Sequence, residues 1–200
     1  MDANAIIDMQ FELHGKNVPK DHGYLLFLEL SRLMPWLADE EQLGIHRIQG
    51  ADTGQGQLML NRRTKLAIRT PRERVEQLAA LCGKTIAMGG ETLTIGPSKL
   101  RPLTLHTPLY AHCVTTGSDD ERDFTRDIIR QLDDLGIDTR FICGRRQIIH
   151  TEAGETSGFS LMLHGLPVEH AIRVQQVGIG GNRKIGCGIF IPHKSIQALT

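Results

Sequence analysis

The chain has no net charge, few cysteines and no long apolar run, and each shortage argues against a class of function. Lys and Arg number 23 and Asp and Glu number 23 in 200 residues. That balance argues against a uniformly basic nucleic-acid-binding domain, so any polyanion must meet a locally basic face. No apolar stretch reaches bilayer-spanning length, and no membrane partner is expected. The N-terminal "MDANAIIDMQ" lacks the basic region and apolar core of a signal peptide. Cys82, Cys113, Cys143 and Cys187 stand far apart, with no C-x-x-C pair. They read as reduced, structural thiols of a cytoplasmic protein. The lesser alternative is a zinc site from Cys143 or Cys187 plus a histidine, although metal-ligand spacing is absent. No basic segment carries the paired aromatics of a base-stacking platform.

Two familiar phosphate loops are missing as well. "VGIGGNRKIGCGIFIP", Val177 to Pro192, holds five glycines and an Arg-Lys pair in sixteen residues. No Lys-Ser or Lys-Thr follows a glycine there, so it is not a Walker loop. A dinucleotide fingerprint begun at Gly178 would need glycine where Arg183 stands. Both motifs run from strand into helix, whereas this loop runs from a helical stretch, "PVEHAIRVQQV", into an apolar strand. It is not a nucleotide site, and no small-molecule cofactor is expected.

Charge is absent in sum but not in distribution. Segment 61–74, "NRRTKLAIRTPRER", sets Arg62, Arg63, Lys65, Arg69, Arg72 and Arg74 against Glu73 alone. Acids gather in "SDDERDFTRDIIRQLDD". Such separation suits one basic face, or, more plainly, a solvated basic strand and turn.

The order of elements is the fold signal. "NAIIDMQFEL" reads as a strand, and "DHGYLLFLELSRLMPWL" as a helix with Asp21 as N-cap and Pro35 as its stop. "LGIHRIQG" reads as a short strand and "GQLMLNRRTKLAIRT" as one strand or a hairpin pair. "PRERVEQLAALCG" reads as a helix closed by Gly83, and "KTIAMGGETLTIG" as a hairpin turning at Gly89-Gly90. After the connector "SKLRPLTLHTP", strand, helix, strand, strand, helix, strand recur. The expected fold is α+β: tandem ferredoxin-like (βαββαβ) domains over 1–103 and 104–200, with the glycine-rich loop 178–188 before the last strand.

Tandem units of this kind ending in this loop resemble the RAMP proteins of CRISPR systems. The terminal pattern is Gly178, Gly180, "GNRKI", Gly186, Gly188. "PKDHGYLLFLELSRLMPWL", "GIHRIQG" and "RPLTLHTPLYAHCVT" are further similar to the Myxan-subtype branch of the endoribonucleases that cut precursor CRISPR RNA within its repeats. The resemblance runs from about residue 10 to Pro192. It implies a metal-independent cut by the ribose 2′-hydroxyl, leaving a 2′,3′-cyclic phosphate and a 5′-hydroxyl. It also implies a repeat-hairpin RNA partner and other subunits of an interference complex. The alternatives are a RAMP subunit that binds crRNA without cutting it, and a ferredoxin-like regulatory domain for a small ligand.

Such a cut needs a base, positive charge beside the phosphorane, and an acid. His22, at the start of the first helix where relatives place a catalytic histidine, is the first candidate base; the helix dipole there disfavours imidazolium. Its plainer reading is a solvent-facing histidine. Tyr24 could orient substrate or serve as acid, or simply edge the core. His46 is the reserve base. The other seven histidines carry no assignment. Gly178, Gly180, Gly186 and Gly188 would let backbone amides form a phosphate nest, with Arg183 and Lys184 adding charge. Arg62, Arg63 and Lys65 would grip a repeat hairpin by its phosphates.

Overall fold

The computed structural model describes residues 5–193. The first strand was read from Asn4, which lies outside the described residues; β1 spans Ile6–His14. Its alternation decides its faces. Ile7, Met9, Phe11 and Leu13 are buried, the last three in the first core, while Asp8, Gln10 and Glu12 point the other way.

Three short strands, β2 (Asn17–Pro19), β4 (Ala51–Asp52) and β5 (Gln57–Met59), make a small sheet in the order β2-β5-β4. The main sheet orders β3 (Gly44–Ile45), β6 (Lys65–Pro71), β1, β8 (Glu91–Pro102) and β7 (Thr85–Met88) as β3-β6-β1-β8-β7. Helices α1 (Gly23–Leu33) and α2 (Val75–Ala79) belong to this half. The stretch read as one strand or a hairpin is instead two strands of different sheets. At Asn61–Thr64 the turn closes on itself, with the Thr64 amide donating to the Asn61 carbonyl at 2.9 Å and the Arg63 amide to its side chain at 2.8 Å. Gly89 and Gly90, both at positive φ, make the β7–β8 turn.

The second half repeats the plan with β9 (Leu109–Val114), α3 (Glu121–Asp134), β10 (Arg140–Thr151), β11 (Gly154–His164), α4 (Val168–Val177) and β12 (Ile191–Pro192). Its sheet order is β10-β11-β9-β12. Leaving out β7 and the small sheet, both halves place the second, third, first and fourth strands side by side, which is the ferredoxin-like arrangement. Each half has its own core: Phe11, Leu26, Leu30 and Ile68 in the first, Phe124, Ile128, Phe159 and Phe190 in the second. Among the described residues no helix is long and apolar enough to cross a membrane.

Candidate active site at the junction of the two halves

A buried arginine ties the halves together. Arg69, on β6, grips Asp8 of β1 through Nε and Nη2 at 2.7 and 2.9 Å. Its Nη1 donates to the carbonyls of Gln175 in α4 and Phe190 before β12, both at 2.9 Å. Burial would raise the Asp8 carboxyl, but His46 and Arg69 outweigh it and hold that group well below the usual carboxylate range. Arg69, one of the cations read as part of a basic face, thus points into the protein. Arg74 is turned to Glu40 at 3.0 Å and lies over Trp36.

Beside this junction is a cavity of about 520 Å³ walled by both halves: Asp21 and His22 before α1, Arg47 after β3, His112 on β9, and Arg145 and His150 on β10. His22 is 1% exposed. Its Nε2 accepts the Ile48 amide at 2.9 Å, so Nδ1 carries the hydrogen and donates to the Pro19 carbonyl at 2.8 Å. Burial is the main reason its pKa falls below the ordinary value. The ring is neutral, as expected, but the lone pair a base would use is already engaged. The helix-start histidine is therefore placed as a wall of the cavity, not as a base facing it.

Asp21 does not cap the helix; the N-cap is His22, without a side-chain cap bond. The Asp21 carboxylate crosses instead to His150, accepting from its backbone amide at 2.9 Å and its Nδ1 at 2.7 Å. His150 Nε2 meets Glu155 at 3.1 Å. Arg47 spans the floor, donating to His112 Nε2 and to the Lys20 carbonyl. His112 is pushed down to about 4 by burial, then by the neighbouring Arg47 and His22.

Arg47 also lines a second hollow, with His46, Arg63, Lys65 and Arg101. Arg47 thus joins the two hollows into a track that leads from the cavity to Arg63 in the Asn61–Thr64 turn. Arg62 and Arg63 are exposed there, while Lys65 is half-buried and lies 3.8 Å from Glu12. His46 sits 3.3 Å from Asp8, its pKa lowered mainly by burial. Tyr24 faces away from this track and donates to Glu152, at the tip of the β10–β11 hairpin, at 3.2 Å. The three expected catalytic residues are therefore not brought together.

The glycine loop turns inward, which corrects the phosphate-nest expectation. The amides of Gly178, Gly180, Gly181, Gly186 and Gly188 all donate inside the protein, to Val174, Gln131, Thr115, Arg183 and Cys113. Gly180, at φ 77°, shows why a side chain is not allowed: a Cβ would lie 2.4 Å from the Thr115 carbonyl. Gly23, across the junction, would place one 2.2 Å from the carbonyl of Ile185. Arg183 lies beneath its loop, donating from Nη1 to the Val177 carbonyl at 3.1 Å, and burial with nearby Arg69 lowers its pKa to about 10. Lys184 reaches the Ala38 carbonyl in the first half. The glycines pack the last helix, β9 and the start of α1 closely together, and both loop cations serve that packing. Cys187 is buried against Cys113, with Ile149 and Ile185 around them.

With this geometry in view, known proteins give the chain its relatives. The Cas6 CRISPR family model matches residues 7–195. The CRISPR-associated endonuclease Cas6 of Myxococcus xanthus (strain DK1622) is 37% identical over 189 residues, covering 94% of this chain and 82% of that protein. A solved CRISPR-associated Cas6 protein superposes with a TM-score of 0.67 at 11% identity, over 94% of this chain and 100% of that one. Cse3 of Thermus thermophilus, bound to an RNA representing a pre-cleavage complex, gives 0.53 at 12% identity, over 93% and 98%. At that identity the two structures speak for the tandem ferredoxin-like fold alone, but the family model and the Myxococcus relative span nearly the whole sequence: the chain belongs to the Cas6 CRISPR family.

Proposed function

We propose that the chain cuts precursor CRISPR RNA within its repeats, by attack of a ribose 2′-hydroxyl on the adjacent phosphorus. The products are a 2′,3′-cyclic phosphate and a 5′-hydroxyl end. The observation that carries this reading is the cavity between the halves, where Arg47, Arg145, His112 and His150 meet and from which the cationic track leads to Arg63. Arg47 and Arg145 supply the charge that a phosphorane requires, in a partly enclosed site where it counts for more than in water. The track holds the sugar-phosphate backbone by charge and shape, with Arg62 and Arg63 reaching the repeat hairpin. Attack by the RNA's own hydroxyl asks the protein for positioning and proton transfer, and no cofactor takes part. The two halves, 1–103 and 104–200, are two domains sharing one site. After the cut the protein stays on the repeat hairpin and passes it to other subunits of an interference complex in the cytoplasm.

The test is cleavage of a labelled repeat RNA in excess EDTA, with the product ends identified chemically. A cyclic phosphate formed without metal, and lost in Arg47→Ala, is the expected result. Tight binding with no cut would favour the second reading, a crRNA-binding subunit without nuclease activity.

A further inference from the structure

His150 combines accessibility with a fixed proton. Its side chain is 65% exposed in the cavity wall, whereas His22, which lines the same cavity, is almost wholly buried. Each ring nitrogen of His150 faces a carboxylate: Asp21 at 2.7 Å on Nδ1 and Glu155 at 3.1 Å on Nε2. A ring that donates from both nitrogens is the imidazolium, so two carboxylate partners favour that form. The two contacts differ in strength. Asp21 takes both the backbone amide and Nδ1–H, which fixes the ring from behind. Glu155 is a freely exposed partner of the kind that contributes little, and incoming phosphate oxygens can replace it.

We propose that His150 is the general acid of the cut and Asp21 its positioning residue, an assignment that rests on the endonuclease reading above. As the O2′–P bond forms, the 2′-hydroxyl proton passes to solvent water. As the P–O5′ bond breaks, Nε2–H delivers its proton to the leaving 5′-oxygen, and the neutral imidazole is reprotonated from solvent. No oxidant, metal or cofactor enters the balance.

The charged groups around the ring oppose one another. Asp21 and Glu155 favour the imidazolium and desolvation opposes it, while the cations Lys20, Arg47 and Arg145 line the same cavity. The hydrogen bond to Asp21 is the largest influence, and the His150 pKa is raised above its ordinary value. Activity limited by this acid falls as pH rises through that raised value.

The deciding experiment measures single-turnover cleavage in EDTA on two RNAs. One is the natural repeat; the other carries sulfur in place of the bridging 5′-oxygen at the mapped cut, a leaving group that needs no proton. At saturating protein, His150→Gln is expected to slow the natural repeat by about 100-fold and to cut the sulfur-bridged RNA at close to the wild-type rate. Asp21→Asn, which can still accept both hydrogen bonds, is expected to move the alkaline limb of the pH profile to lower pH. Equal losses on both RNAs, or no loss on either, would overturn the acid role while leaving the endonuclease reading intact. Wild-type protein that cuts neither RNA would instead overturn that reading, and this inference with it.

Discussion

His22 and His150 line one cavity with Asp21, and the comparison shows how the same imidazole is given two opposite tasks. His22 is enclosed, accepts one backbone amide, donates to one backbone carbonyl, and is neutral. His150 is open to solvent and held between carboxylates. Environments that push two histidines apart in this way divide a cavity into a rigid wall and a working face. The first belongs to stability and the second to chemistry, and substitutions should separate the two.

The largest structural effect is expected at the wall. His22→Ala leaves the Ile48 amide and Pro19 carbonyl unpaired in a sealed site, at a cost of about 3 kcal/mol of folding stability in urea titration. His150→Gln should leave the same titration close to that of the wild type. A His22→Ala protein of undiminished stability that no longer cuts RNA would break the comparison and return His22 to the role of base.

Acid titration sharpens it further. His112, whose folded pKa is about 4 against an ordinary 6.5, shares the wall with His22. Its folded pKa is depressed, so the unfolded chain takes up the proton first as pH falls. Its stabilising contribution is present above pH 6.5 and lost between 6.5 and about 4. Stability measured over that window should fall less steeply in His112→Gln. The raised pKa of His150 carries the opposite sign: its contribution is present below the ordinary value and lost as pH rises through the raised one.

The smallest effects are expected among the arginines. Removing Arg62 or Arg63 should weaken RNA binding at all sequences and lower the salt slope by roughly one apiece. Arg183→Met should leave that slope unchanged, because its guanidinium lies under the loop. A reduced slope in Arg183→Met would mean that the loop opens toward RNA after all.

The architecture was legible because it rests on local signals. A mixed apolar run marked β1, Pro35 closed the first helix, and Gly89-Gly90 marked the turn between β7 and β8. The site was less legible because its bonds are long-range. Asp21 has the composition of an N-cap, yet its partner lies 129 positions away. His150, near the end of a long, mostly exposed strand of mixed polar and apolar residues, offers no local cue at all. The glycine loop was found but its direction was not: spacing reveals that backbone must come close to something, and here that something is Thr115, Gly188 and the carbonyl of Ile179. His112 had one usable sign, a polar residue alternating with buried Leu109, Ala111 and Cys113 on β9.

Arg69 has a further consequence, for cooperativity. Its guanidinium is shared between a carboxylate of one half and two carbonyls of the other, away from solvent. Neither half can melt without stranding a buried cation or its acceptors in the other. The number of folding units is then smaller than the number of ferredoxin-like repeats. A polypeptide with two hydrophobic cores should show one calorimetric transition, and Arg69→Met should split it into two.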